Sequence, residues 1–579
     1  MNISRREFIQ MLAVAGVSTL QLEGCSTNNG NRFMTSGNNP ADLYELPAFG
    51  NVSIMHYTDC HAQLMPIHFR EPNINLGIGS MRGQPPHLVG ENLLKHYGIR
   101  PGSAEANALT YIDFTEASKK FGKVGGFAHL SSLVKKIRAQ RPNSLLLDGG
   151  DTWQGSATAL WTNAQDMVDA QLLLGVDIMT SHWEMTFGAE RVQEIINNDF
   201  KGKIDFVAQN VVDNNWGDPI FKPYVIRNIN GIPTAIIGQA FPYTPIANPR
   251  YMIPDWSFGI QDENMQAMVN KARGEGAQVV VVLSHNGMDV DLKMASRVTG
   301  IDAIMGGHTH DAIPSPTIVN NLGGKTLVTN AGSNGKFLAV LDFDVKNGRV
   351  RDFRYKLLPV FSNLIEADPE MEAYINKVRA PYLDNLQREL AITDSLLYRR
   401  GNFNGTFDQL ICDALIEVMD APISLSPGFR WGVSVLPGEP ITFEQVMSQT
   451  AITYPTVSVD MVTGGRIKEV LEDVADNLFN IDPYYQQGGD MVRVGGLRYS
   501  INPHKKIGQR INDMELNGQA LMPNKEYPVA GWASVGRPLE GRPVWDVVEE
   551  YLTSKKTIRI DHLNTPKIIG VKGNPGYKP

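Results

Sequence analysis

The sequence predicts a layered α/β fold followed by a second, smaller α/β domain, and three observations carry that expectation. Apolar runs of strand length alternate with stretches of helical spacing from Val52 to Asp311, the pattern of helices packed on sheets. Four of those runs stop abruptly at short stretches of Asp, His and Gly. The chain has 579 residues, long for one hydrophobic core, so two domains are expected.

The four strand tips organise the rest. Leu145 to Leu147 runs into Asp148-Gly149-Gly150-Asp151, and Ile54 to Tyr57 into Thr58-Asp59-Cys60-His61. Val279 to Leu283 ends in Ser284-His285-Asn286, and Ile301 to Met305 in Gly306-Gly307-His308-Thr309-His310. Loops at strand tips of α/β sheets converge on one crevice. Asp59, His61, Asp151, His285, His308 and His310 would meet there as hard oxygens and imidazoles, a set suited to two divalent metals. Such ligands favour manganese over a thiolate-seeking ion, and zinc also fits. A fifth tip, Ser181-His182-Trp183-Glu184 after Val176 to Thr180, makes His182 a candidate ligand or acid. Ser181, Glu184 and Asn210 are further candidates, as ligands or as groups that orient ligands. Asp59 and His61 on an extended tip would face the same side. Cys60 would then face away, as a structural residue.

The remaining stretches are taken in order. Residues 1–40 read as a targeting segment and polar linker: Arg5-Arg6 is a twin-arginine pattern before the apolar Met11 to Leu22 run, which predicts export of a folded protein to the periplasm. Leu22-Glu23-Gly24-Cys25 has the form of a lipoprotein box, so a lipid anchor at Cys25 is one outcome and a free periplasmic protein the other. A catalytic domain is expected over 50–365, with an insertion at 65–121. That insertion holds five prolines and one helix-like patch, Glu91 to Tyr97; a stretch so long and irregular is expected to shape access to the metals. Lys119, Lys120 and Lys123 at its end read as a solvated face. Helical spacing marks Gly125 to Arg141, Ala164 to Leu174 and Asn264 to Gly274, and strands are expected at Lys325 to Thr329 and Phe337 to Val345. A long amphipathic linker helix is predicted over 366–390, with Met371, Tyr374, Ile375, Val378, Tyr382 and Leu386 on one face. Residues 391–579 form the smaller domain, poor in Asp/His tips and expected to supply recognition. A net charge of -8 argues against a nucleic-acid partner. Three cysteines, at 25, 60 and 412, form neither a disulfide framework nor a thiolate cluster.

These residues carry a family resemblance. Asp59-x-His61, Gly150-Asp151 with Gln154-Gly155-Ser156, Ser284-His285 and Gly307-His308-Thr309-His310 resemble the calcineurin-like metallophosphoesterases, in particular the bacterial 5′-nucleotidase group. Gly428-Phe429-Arg430-Trp431-Gly432 and Val494-Gly495-Gly496-Leu497 look like landmarks of the C-terminal domain of that group. Within it the chain is most similar to the SoxB thiosulfohydrolases, through Thr58 to Leu64, Asp151 to Ser156, His182-Trp183-Glu184 and Asn402 to Thr406. The resemblance implies a four-layer β-sandwich flanked by helices. It also implies two metals, one held by Asp59, His61, Asp151 and His310, the other by Asp151, His182, His285 and His308, with Asp151 bridging and a water activated between them. It implies as substrate a cysteine S-thiosulfonate on a flexible C-terminal arm of a SoxYZ-like sulfur-carrier protein, with sulfate as product.

Where nucleotidases of this group read Gly-Asn-His-Glu-Phe-Asp, the chain reads Ser181-His182-Trp183-Glu184-Met185-Thr186. Without a gap, His182 replaces a ligand Asn, Trp183 the catalytic His and Thr186 its orienting Asp. With a gap, His182 stays the catalytic His and Ser181 takes the ligand place. Asp151, Trp183 and Arg430 are therefore the candidate catalytic residues, Arg430 as an anion contact. A nucleotidase or phosphodiesterase is the alternative, with Phe479, Tyr484 and Tyr485 as base-stacking candidates, and a non-catalytic metal scaffold a third.

Overall fold

Alternate residues of the central strands bury themselves in two different cores, and this sets the architecture. Val279, Val281 and Leu283 pack into one apolar cluster, while Val280 and Val282 pack into another with Met265, Val269 and Met294 of two helices. A strand buried on both faces needs a layer on each side.

The computed structural model describes residues 43–578. Arg5-Arg6, Cys25 and the polar linker to residue 40 lie outside the described residues. One six-stranded sheet runs in the order Arg349–Pro359, Phe337–Lys346, Val52–Tyr57, Leu145–Asp148, Ile178–Met179, Asp205–Phe206. The second runs Thr317–Asn321, Gly324–Asn330, Ala303–Gly306, Val279–Ser284, Ile232–Gln239, Tyr224–Ile229. The sheets pack face to face, with residues of both in one core. Helices Phe127–Ala139 and Gln165–Leu174 add to that core from the first sheet, and helices Asp262–Gly274 and Met288–Arg297 cover the outer face of the second. The result is the expected four-layer α/β sandwich. Parallel pairing puts neighbouring tips level: Tyr57 lies opposite Asp148, Asp148 opposite Met179, and Gly306 opposite Ser284. All five tips therefore open at one end of the sandwich.

Two sequence expectations need correction. The linker helix ends early: the α-helix spans Pro369–Arg379, a single 3₁₀ turn and a short helix at Leu383–Leu386 follow, and Glu389–Thr393 is already a strand. Pro381 has no amide hydrogen and its ring crowds the preceding turn. The break divides the apolar stripe, sending Met371 and Ile375 to the sandwich core and Leu386 to the C-terminal core. The 65–121 insertion holds three helices, at Glu91–Tyr97, Ala104–Leu109 and Phe114–Phe121. The second and third are too short for periodicity to register; Ser103 caps one by accepting from the Ala106 amide at 3.1 Å. Lys119, Lys120 and Lys123 are exposed.

The C-terminal half carries small sheets, the main one ordered Val457–Thr463, Glu526–Trp532, Ile423–Ser426, Arg493–Gly495. Its two cores also take in Ala157 and Trp183 of the N-terminal half and Ile74 and Leu76 of the insertion. Among the described residues no helix is long and apolar enough to cross a membrane.

Candidate metal centre

The strands end by reversing, not by extending. Asp59, His61, Asp151, His308 and His310 all sit at positive φ, between 47° and 70°, where a side chain other than glycine is strained. This corrects the extended tip expected for Asp59 and His61: a left-handed turn aims both into the crevice. Cys60 is buried in the sandwich core, its thiol 3.6 Å from the Thr152 carbonyl oxygen. Gly307 is required for close approach, since a Cβ there would come within 2.8 Å of Asp59 Oδ2 and 3.1 Å of His285 Nδ1.

Two buried groups of donors result, Asp59, His61, Asp151 and His310 in one and Asp151, His182, His285 and His308 in the other, the donor atoms of each within 4.8 Å of one another. Their membership is the one the resemblance implies. Asp151 is common to both. Its Oδ2 lies 3.2 Å from His285 Nε2 and 3.6 Å from His61 Nε2, and its Oδ1 lies 3.4 Å from His182 Nδ1. Asp59 Oδ1 lies 3.2 Å from His310 Nε2.

Each imidazole but one is pinned by its far nitrogen, which fixes the tautomer. His61 Nδ1 donates to the Gln154 carbonyl at 3.2 Å, His285 Nδ1 to Gly149 at 2.6 Å, His182 Nε2 to Asn248 Oδ1 at 3.1 Å, and His308 Nε2 to Gln487 at 3.0 Å. The other nitrogen of each is left as a bare lone pair. His182 Nδ1 and His285 Nε2 are buried without a hydrogen-bond partner, and His61 Nε2 meets only the Nε2 of His310, at 3.1 Å, a costly arrangement unless something else binds them. Burial, then neighbouring imidazoles, hold His308 and His310 well below the ordinary imidazole range, and burial lowers His61 and His182 as well. Burial works to raise Asp151, but His285 and His182 outweigh it and keep its carboxyl well below the usual range. His285 goes the other way: burial would lower it, but the Asp151 and Asp59 charges push it up to about 10, a proton that a bound cation would displace, since a ligating imidazole is neutral. The donor set fits two divalent metal ions, and the identity of those ions is a separate question.

The fifth tip follows the gapless reading: His182 joins a ligand group, and Trp183 donates its backbone amide to Asp151 Oδ1 at 2.8 Å. Thr186 bonds the Trp183 carbonyl at 2.7 Å and orients no acid. Glu184 holds the tips together instead of ligating, accepting from the amides of Thr152 (2.6 Å), His182 (2.8 Å) and Asp151 (3.2 Å). Burial, then the Asp151 charge, push it up to about 7. Ser181 Oγ is buried and unpartnered. Asn210 is corrected: its amide is spent on the backbones of Ala240 and Gly259, at 2.8 and 2.9 Å, away from the ligands. Phe479 is also corrected, because it is a core residue at 1% exposure. Tyr484 bonds Asp262.

A cleft of about 260 Å³ reaches the ligands and is walled by Phe241, Trp183, Phe429, Trp431 and Arg430. Trp431 stacks on His61 at 4.7 Å and Phe429 stacks on Trp431 at 4.1 Å, while Trp183 stands edge-on to both. Phe241 stacks on His308 at 4.1 Å. This aromatic box has no tip-like signature, and sequence reading missed all of it but Trp183. Arg430 bonds the His308 carbonyl at 3.3 Å and the Gly489 carbonyl, which seats it beside the ligands. None of the residues lining the cleft comes from 65–121, so the insertion is not the wall of this opening.

Comparison with known proteins agrees with this geometry. Residues 392–536 match the 5′-nucleotidase C-terminal domain family. The structure is similar to the sulfate thiohydrolase SoxB of Thermus thermophilus, with 37% identity, 91% of this chain and 98% of that chain covered, and a TM-score of 0.86. A 5′-nucleotidase precursor, also of Thermus thermophilus, shares the fold at 21% identity, with 90% and 99% covered and a TM-score of 0.70. The 5′-nucleotidase of Rattus norvegicus is 26% identical over 438 residues, 68% of this chain and 72% of that protein. Identity at that level over nearly the full length of the SoxB neighbour, with both ligand groups in place, makes this chain a metal-dependent hydrolase of the SoxB family within the 5′-nucleotidase group.

Proposed function

We propose that the protein hydrolyses a cysteine S-thiosulfonate carried on the arm of a sulfur-carrier protein and releases sulfate. The observation that carries this reading is the fifth tip: Trp183, which cannot protonate a leaving group, stands beside Asp151, and Thr186 is tied to the Trp183 backbone. In the overall reaction Cys–S–S–SO₃⁻ and water give Cys–S–S⁻, SO₄²⁻ and two protons. The water oxygen bonds to the sulfonate sulfur, the S–S bond to the sulfane sulfur breaks, and the electron pair leaves on the sulfane. Even an ordinary thiol has a pKa of ~8.5, so a sulfur anion departs without an acid, whereas a ribose alkoxide does not.

Asp59, His61, Asp151 and His310 would hold one divalent ion, and Asp151, His182, His285 and His308 the other. When bound, such a pair supplies an activated water near neutral pH and neutralises charge on the anion under attack. The chain supplies the rest. Arg430 draws the sulfonate toward the ligands, and the box of Trp183, Phe429 and Trp431 keeps the site dry and offers ring edges to sulfur. Glu184 keeps the Asp151 and His182 tips in register. The oxygen and imidazole donors support manganese, and the Arg5-Arg6 leader supports work in the periplasm.

The test offers manganese-loaded protein AMP and a carrier peptide bearing the S-thiosulfonate side by side. Sulfate release with little phosphate release is the expected result; fast AMP hydrolysis without sulfate overturns the proposal.

A further inference from the structure

The 65–121 insertion, absent from the front cleft, lines two spaces that adjoin the metal centre. Two small cavities lie there, of about 30 and 50 Å³. Both are lined by Asn75 and Pro86 of the insertion together with Asp311 and Arg400. The first reaches His310, and the second reaches Arg430 and Gly488, both of which also line the front cleft. None of Trp183, Phe241, Phe429 and Trp431 lines either cavity, so the two lead from the insertion to the ligands by walls other than the aromatic box.

Their walls are polar and unsatisfied. Arg400 Nε and Tyr97 Oη at the first cavity, and Arg400 Nε and Asn477 Oδ1 at the second, are buried with no hydrogen-bond partner in the protein. A buried polar atom left unpaired is destabilising, and ordered water is the usual remedy. At roughly 10–15 Å³ per water by the same measure, the cavities have room for about two and about four.

Hydrolysis consumes one water per turnover, and a carrier arm seated in the front cleft closes that route to bulk solvent. We propose that the two cavities hold an ordered file of waters that feeds the metal centre from the insertion side while the carrier's arm occupies the front. The inference rests on the reading of a carrier-borne substrate; the occupancy of the cavities by water does not.

A high-resolution crystal structure of the metal-loaded protein is the direct test. Waters are expected within hydrogen-bond reach of Arg400 Nε, Tyr97 Oη and Asn477 Oδ1, and dry cavities overturn the proposal. Filling the cavities with Val89→Phe and Val290→Phe, each at a wall residue outside the metal centre, tests the supply. Sulfate release from the carrier should fall about five-fold or more, while release from free cysteine S-thiosulfonate, which leaves the cleft open, should change less than about two-fold. Equal losses on the two substrates, or none, overturn it. Should the filled variants not fold, Tyr97→Phe removes one water partner without adding bulk; it is expected to lose that water and slow only the carrier reaction. If the wild type releases no sulfate from either substrate, the function proposed above fails, while the crystallographic result still decides whether the file exists.

Discussion

Two of the buried polar clusters among the described residues are built on opposite principles. In the C-terminal half, Arg399 and Arg493 face Asp408 and Asp490. Arg399 Nε bonds Asp408 at 2.8 Å, Arg493 Nη2 bonds Asp490 at 3.1 Å, and Arg493 Nε lies 3.2 Å from Asp408. Arg400 and Arg430 add longer contacts to Asp490, at 4.0 and 3.7 Å, so the carboxylates are met by guanidiniums of the chain itself. At the strand tips of the N-terminal half, Asp59 and Asp151 meet five imidazoles, most of them driven toward the neutral form, and two of the nitrogens facing the centre have no partner. The first cluster pairs its carboxylates with guanidiniums and braces the fold. The second is complete only with cations. Strained backbone, and a donor set of imidazoles where the first cluster has guanidiniums, tell the two apart.

Substitutions can break that contrast, beginning with the largest effect. Asp151→Asn keeps the shape but removes the charge shared by both ligand groups; sulfate release should fall about 10³-fold or more, with metal content dropping in parallel by elemental analysis. An active, fully loaded variant would remove the basis for calling Asp151 the shared ligand. Arg493→Met should do the reverse. Denaturant unfolding should show a loss of about 3–5 kcal/mol because buried carboxylates are left underpaired, while metal content stays at the wild-type level. Gly488→Ala reads the coupling between the halves, since φ there is +68° and a Cβ would lie 2.4 Å from His308 Nε2. Displacing that ring from Gln487 should weaken metal binding about 10–100-fold, measured by competition with a chelator.

The smallest effect comes from a buried carboxylate in neither cluster. Asp166 is 2% exposed, and burial pushes it up to about 6 from 3.8. Because the folded-state value is the higher one, its favourable contribution is present below the unfolded value and is lost as pH rises through about 6. Asp166→Asn should therefore raise stability by roughly 1–3 kcal/mol at pH 7 and by nothing measurable near pH 3.5. A pH-independent gain would mean that packing, not charge, sets the difference.

All seven residues of the two donor groups were legible, because apolar runs that stop at Asp, His and Gly announce strand tips, and tips share one end of a sheet. The long helices and a layered α/β fold were legible because periods of 2 and 3.6 persist long enough to register, while the count of four layers came from the family resemblance. Short elements were not, as the two undetected helices of the insertion and the break at Pro381 show.

By itself, then, the sequence determined the layered architecture, the ligand set and the family, since each rests on local pattern and residue type. Tertiary structure alone decided which nitrogen of each imidazole faces the centre, because the carbonyls of Gln154, Gly149 and Gln487 come from other loops, one of them more than 170 residues away. It also decided that Phe241, Phe429 and Trp431 box the site and that the insertion adjoins the centre through two cavities instead of framing its opening. Packing between remote segments leaves no mark in a local pattern, so such contacts appear only once the chain has folded.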